Sequence, residues 1–436
     1  MLIKQHFSCV YGYFRISCRL ERNDIKHELL TERPDLFEPN NQMSFFLTLN
    51  KVDENKLKDS IYKTYLLHEV THSKIIFEKE KAFYIKQEKT NNTVVITNED
   101  WLSILKREEK KPFDLKNGEM MRCFIIPSQY KTHLYIFAHH LVGDGKAIMC
   151  FIEDLMHIYN DEHREEVPLQ LITKKDLQNK PLKTIAKIYA NFCNLRWKLF
   201  YHKNYTWDDY DKLHLDYWTK NESQIVYHTF TKEETKQLLN KAKTLNISMN
   251  SLIASCFVGL DNNKHSVGMI TSVREKGNRT MANLISGVSS TQQFDVNLTF
   301  EENAKLVQEK AKESIRKYQY FVITFLSKFH PSIIDGILLH AHHQNKHLLL
   351  NEISRLMGYK GNFTRDIGIT NLTVLDVPKQ VGNIHVDNIV VVAPLISYTR
   401  KVICASTFDG KLTLSIHDMN QQSDFLKRGI QLLKGK

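Results

Sequence analysis

His139-His140-Leu141-Val142-Gly143-Asp144-Gly145 reads HHxxxDG, and the rest of the chain is best read outward from it. Before it runs Leu134-Tyr135-Ile136-Phe137-Ala138, apolar like a buried strand. After it comes Lys146 to Asn160, where Ala147, Ile148, Phe151, Ile152, Leu155, Ile158 and Tyr159 recur at helical spacing. The motif is thus expected at a strand-to-helix junction. A neutral imidazole can take a proton from an alcohol or amine near neutral pH. One histidine of the pair is read as facing the reaction space, and the other as packing or hydrogen-bonding elsewhere. Gly143 and Gly145 on either side of Asp144 permit a tight turn with unusual backbone angles. Asp144 need not touch the imidazole. It can fix the turn by accepting hydrogen bonds or by pairing with an arginine. Residue frequencies give about 10⁻³ chance occurrences of the full pattern in a chain of this size.

Strands are expected at Phe45 to Leu49, Ala82 to Ile85, Thr93 to Thr97 and Met121 to Ile126. The short polar loop Pro127 to Lys131 makes Leu134 to Ala138 the hairpin partner of Met121 to Ile126. Helical spacing marks Glu54 to Leu67, Leu182 to Lys203, Thr231 to Leu245, Asn250 to Leu260 with Asn250-Ser251 as its cap, and Glu301 to Tyr320. Ser266 to Val273, Ile384 to Val386 and Asn388 to Val392 read as strands. Lys401 to Phe408 and Lys411 to His417 flank the turn signal Asp409-Gly410, and a closing helix begins at Ser423. Helices and strands mix throughout, so two α/β sandwich lobes are expected, over residues 1–175 and 176–436.

Hydrophobic content of 42% and charged content of 25% are ordinary for a globular chain. No stretch approaches the roughly 20 apolar residues that cross a bilayer. The first twenty residues lack the apolar block of a secretory signal. Seven scattered cysteines form no CxxC pair, which points to a reducing, cytoplasmic setting. The formal charge of +11 is spread over the chain without a nucleic-acid motif, so no nucleic-acid partner is expected. His340, His342, His343 and His347 form a second histidine group, and His340, His343 and His347 could share a helical face. No carboxylate or cysteine joins them nearby, so a packing or surface role is preferred and no metal is expected. The helical stretch from Leu182 is basic and amphipathic. Packing on the protein's own core is the simpler reading, peripheral membrane contact the alternative.

HHxxxDG resembles the signature of the condensation domains of nonribosomal peptide synthetases, within the superfamily of chloramphenicol-acetyltransferase-like, CoA-dependent acyltransferases. Weaker resemblances extend over roughly residues 40 to 432. They include Lys111-Pro112-Phe113-Asp114-Leu115 through Met121-Arg122, Val273-Arg274 with Asn283 to Ser290, Ile369-Thr370-Asn371-Leu372, and Thr407 to Leu412. The third and fourth are similar to segments of standalone alcohol acetyltransferase-like members.

The resemblance implies an α/β (α+β sandwich) fold of two chloramphenicol-acetyltransferase-like lobes set in a V, with an active-site tunnel between them. It implies catalysis by His140, with His139, Asp144 and Gly145 completing the site. Arg274 is the expected partner of Asp144 and Arg279 its competitor; Gly145 would bring an N–H near the oxyanion. Asn371 and Ser289 are candidates for the tunnel lining. The reaction implied is transfer of an acyl group from a thioester to a hydroxyl or amine without a covalent enzyme intermediate. The co-substrate would be acyl-CoA or a phosphopantetheinyl carrier protein, with no bound cofactor. The DFGWG segment of the plant BAHD branch is absent, and no carrier or adenylation domain accompanies the motif, which favours a free-standing acyltransferase; a monomer working in secondary or lipid metabolism is expected. Tyr318 to Val322 and the basic helix suggest a lipid-like acceptor. The alternatives are a non-catalytic condensation-like module that binds a carrier protein, and an epimerase-like relative.

Overall fold

The computed structural model describes residues 26–201, 203–343, 347–356, 366–396, 399–419 and 424–435. Two six-stranded sheets organise two lobes. In the first the order is Gln380–Val381, Ile384–Val392, Gln42–Asn50, Lys131–His139, Met121–Pro127, Thr93–Ile96. The expected hairpin forms, with Cys123 opposite Ile136. Leu134 to His139 are all buried, as befits a central strand covered on both faces. Helices Glu54–Leu67 and Gly145–Tyr159 pack against each other and supply Leu57, Ile61, Ile148 and Phe151 to the core. The strand Ile384–Val392 comes from late in the chain, yet it pairs antiparallel with Gln42–Asn50 and sets Val390 opposite Phe46. The first sheet is therefore not built from a contiguous stretch of sequence.

The second sheet runs Ile285–Gln292, His265–Ser272, Ile367–Val374, Lys401–Phe408, Lys411–Met419, Ser223–Thr229. Asp409 and Gly410 both have positive φ, 46° and 75°, as a two-residue hairpin turn requires. Val267, Val288, Ile369, Ile403 and Leu414 form a second core with Leu252 and Phe257 of the helix Met249–Val258. That helix starts earlier than Asn250-Ser251 suggested: the Ser248 hydroxyl accepts the Ser251 N–H at 3.0 Å and is the cap. Helix Phe300–Tyr318 opens with a capping box, Thr299 with Glu302. Helices Trp207–Trp218 and Pro331–His343 lie beyond what periodicity had marked.

The second lobe reaches the motif directly. Residues 273–284, between two strands of the second sheet, reach back to Asp144. Arg33, in a single helical turn (Arg33–Leu36), donates to Asp335 of helix Pro331–His343 at 2.7 and 2.5 Å, both side chains buried.

Candidate active site

The HHxxxDG stretch sits where the strand Lys131–His139 ends and the helix Gly145–Tyr159 begins, with a short 3-10 turn, His140–Val142, between. His139 closes the strand, and its N–H donates to Met120 O. Its ring is buried edge-on to Phe113, and Nδ1 accepts the Leu141 N–H at 3.1 Å. That bond leaves the proton on Nε2, which has no partner among the described residues. Burial first, then the neighbouring His140, His214 and Arg122, push the His139 imidazole down to about 3. Burial thus favours the neutral form of this ring, which packs against Phe113.

His140 begins the turn, its N–H bonded to Asn41 O at 2.9 Å. It is 7% exposed, and its buried Nδ1 has no hydrogen-bond partner among the described residues. Gly143 has φ 142°, and a Cβ there would collide with Ala147 Cβ and lie 2.9 Å from Ala282 N. Gly145 differs from the expected role: it is helical, and its missing side chain makes room for Leu372, which a Cβ would meet at 2.7 Å. The unusual backbone angle belongs to Gly143, and Gly145 serves the contact between lobes.

Asp144 caps the helix by accepting the Ala147 N–H at 3.0 Å. Its other oxygen accepts from Leu284 N at 3.1 Å, and Arg274 Nη2 reaches both oxygens at 3.0 Å. Arg274 in turn donates to Thr280 O and Ala282 O at 2.7 and 2.8 Å. The carboxylate is thus a fully engaged brace joining the two lobes. Arg279 does not compete for it. It pairs with Glu153 at 2.6 Å and Asp154 at 2.8 Å, and Asp154 also meets Arg164 and His68.

The other candidates separate. Asn371 Oδ1 accepts the Thr373 N–H at 2.7 Å, a bond within its own irregular strand end, while Leu372 beside it touches Gly145. Ser289 is exposed on the strand Ile285–Gln292, on the opposite face from buried Ser286 and Val288. His340 and His347 meet edge-on with ring centroids 5.2 Å apart, but His347 lies outside helix Pro331–His343, so the three-histidine helical face does not form as expected. The side chains of His342 and His343 lie outside the described residues.

One acidic group near His140 carried no motif. Asp35 accepts from Asn41 Nδ2 at 2.7 Å and from Asn283 Nδ2 at 2.8 Å, and it lies close enough to His140 for their charges to interact. Burial raises its carboxyl above the usual range against those three stabilising neighbours. Glu32, three residues earlier and fully buried, is pushed up to about 7, by burial above all. The only signal in the sequence was a cluster of polar residues, Glu32 to Gln42, running into a strand.

The condensation-domain family model matches residues 56–179, a span that includes the whole motif. A polypeptide of the linear gramicidin synthase from Brevibacillus parabrevis is 33% identical over 72 residues, 16% of this chain and 1% of that protein. A trichothecene 15-O-acetyltransferase from Fusarium sporotrichioides superposes with TM-score 0.63 at 10% identity, covering 94% of each chain. The chain has the condensation-domain fold. The epimerization domain from the third module of tyrocidine synthetase B also superposes, with TM-score 0.58 at 12% identity, over 94% of this chain and 95% of that one. One architecture thus serves proteins whose names denote O-acetyl transfer and epimerisation.

Buried histidines make stability depend on pH. His139 and His214 are held near 3 and His417 near 4, in each case mainly by burial. Between those values and about 6.5 the unfolded chain binds protons that the folded chain does not, so each histidine costs stability as pH falls through that window. Glu32 and Glu109, raised to about 7, and Asp335 and Asp418, raised to about 6, act in the opposite sense, losing stability as pH rises from about 4. The difference between wild type and His417→Gln isolates one contribution. Urea titrations from pH 6.5 to 4 should show a shallower acid loss in the variant, by up to about 1.4 kcal/mol per pH unit. Parallel curves would contradict the burial argument.

Proposed function

We propose that the chain catalyses acyl transfer from a thioester to a hydroxyl or amine, with His140 as the proton-transfer residue. The observation that carries this reading is the division of labour in the motif. Asp144 is spent on Arg274, His139 is neutral and enclosed, and the His140 ring keeps a buried Nδ1 that has no partner among the described residues. In this reading His140 takes the proton of the acceptor as the acceptor's oxygen or nitrogen attacks the thioester carbonyl. The new C–O or C–N bond forms, the C–S bond breaks, and the proton passes to the leaving thiolate. The substrates would meet in a tunnel between the lobes. The N–H of Gly145, at the start of a helix, would favour the negative charge on the carbonyl oxygen.

A phosphopantetheinyl carrier protein is the preferred donor in this reading and acyl-CoA the second, because the sequence matches fall on peptide-synthesising proteins. The same matches favour a second reading, in which the chain docks a carrier without turning it over, or acts on the carrier-bound group as an epimerase does. Intact HHxxxDG residues weigh towards chemistry. A reducing, cytoplasmic setting belongs to the proposal, in keeping with the free state of Cys123, Cys150, Cys193, Cys256 and Cys404. The test is a thiol-release screen of acyl-CoA and acyl-carrier donors against alcohols and amines. Release that requires both substrates is the expected result. Carrier binding with no turnover across the panel would establish the docking reading instead.

Asp35 belongs to this proposal as a positioning charge. Its carboxylate would oppose the positive charge that arrives on His140 during proton transfer. Asp35→Asn keeps the shape and removes the charge. It is expected to lower kcat roughly tenfold, a modest share of acid–base help, with KM little changed. A KM effect alone would instead assign Asp35 to substrate binding.

A further inference from the structure

Helix Thr184–Phe200 has apolar residues on two faces. On its inner face Ala190, Cys193 and Trp197 are buried, and Ala186 and Tyr189 pack against the first core. On its outer face Ile185, Ile188, Phe192, Leu195 and Leu199 follow one another at three- and four-residue steps. They are 74%, 62%, 53%, 55% and 60% exposed, and Phe200 beside them is 73% exposed. A helix that only covered a core would turn polar residues outward. A run of large apolar side chains this long on a surface marks a place where something else binds.

The charges around the stripe say what. From Leu177 to Lys203 there are six basic residues, Lys180, Lys183, Lys187, Arg196, Lys198 and Lys203, and no acidic one. At about 100° per residue, Lys187 and Lys198 flank one side of the stripe, while Arg196, on the other, is paired with Glu352 at 3.1 Å. Lys183, Lys187 and Lys198 have no acidic partner among the described residues. Such lysines can lay their stems along an apolar layer and hold their charges at its polar boundary. Two copies of the helix packed stripe to stripe would set flanks of one sign against each other, the reverse of what a helical dimer seam uses. The helix, 17 residues long, would lie in the plane of a membrane rather than cross it. Among the described residues no single helix is long and apolar enough to cross.

We infer that the outer face of helix Thr184–Phe200 docks the protein onto an anionic lipid surface. The inference does not depend on the reaction assigned to the site. The stripe enters the acyl region, and the lysine flank of Lys187 and Lys198 meets the phosphate layer.

Sedimentation of the full chain with vesicles tests it. Phosphatidylcholine vesicles containing about 30% phosphatidylglycerol should capture the protein at least roughly tenfold better than phosphatidylcholine alone, and about 0.5 M salt should remove most of that preference. Phe192→Asp with Leu195→Asp should lower capture roughly tenfold, with an unchanged circular dichroism spectrum. Lys187→Glu with Lys198→Glu leaves the apolar stripe intact and should abolish the anionic preference alone. Equal capture by both vesicle types, or by the aspartate variant, would overturn the inference. So would light scattering that shows a wild-type dimer which the aspartate variant converts to a monomer, since a second copy would then occupy the stripe.

Discussion

Replacing His140 by alanine is expected to slow thiol release by about 10²- to 10⁴-fold, the range of positioned acid–base help, while the protein stays folded. The structure gives both halves of that expectation. His140 contributes its backbone to the fold through the bond to Asn41 O, which alanine keeps. Its ring nitrogen Nδ1 has no hydrogen-bond partner among the described residues, so truncation orphans no described group there. Proton transfer should suffer far more than packing. The paired control is His139→Ala, which removes a buried ring from against Phe113 and leaves the Leu141 N–H without its acceptor. That change should reduce stability more than His140→Ala does. Full turnover in the His140 variant would remove the proposed chemistry altogether. The assay is thiol release under saturating donor and acceptor, with urea denaturation of the same samples.

Asp144→Ala should behave in the reverse way and cost about 3–5 kcal/mol of stability, the usual penalty for breaking a buried ion pair from one side. The side chains of Asp144 and Arg274 are each only 5% exposed. Removing the carboxylate strands the guanidinium and also frees the N–H groups of Ala147 and Leu284. Those groups belong to the start of helix Gly145–Tyr159 and to residues 273–284, so the loss falls on the contact between lobes. Arg274→Ala should cost a similar amount. The double variant should cost clearly less than the sum, because neither charge is then left alone in the interior. A folded, fully stable Asp144→Ala protein without activity would give Asp144 a chemical role in place of the structural one.

Much of this could be read in the chain because it is local. The motif, the strand before it and the helix after it lie within about thirty residues, and their periodicities differ cleanly. The turn Asp409-Gly410 and the hairpin ending at His139 were legible for the same reason. Arg274 was the expected partner only through the resemblance, with Arg279 as its competitor, since 130 residues separate Asp144 from Arg274 and no spacing in the chain links them. What decides between them is that Arg279 finds Glu153 and Asp154 on the side of the same helix.

The strand Ile384–Val392 shows the other limit. Its alternation was visible, but nothing in it names Gln42–Asn50 as its neighbour, because pairing depends on a chain path that returns from the second sheet. Asp35 was missed for a related reason. A carboxylate in a polar stretch carries no spacing signal, and its position depends on amides from Asn41 and the distant Asn283. The exposed stripe of helix Thr184–Phe200 was half legible. The sequence showed apolar residues and lysines, but only the packing of Ala190, Cys193 and Trp197 revealed which apolar face is left over.

The most direct test of the account is product analysis by mass spectrometry. The full chain would be incubated with an acyl-phosphopantetheinyl carrier protein and a panel of alcohols and amines, with His140→Ala in parallel. The account predicts an acylated small molecule that depends on His140, a freed carrier thiol in equal amount, and no acyl group left on the protein. A carrier that binds but keeps its acyl group against every acceptor, or an acyl adduct on the protein itself, would contradict it.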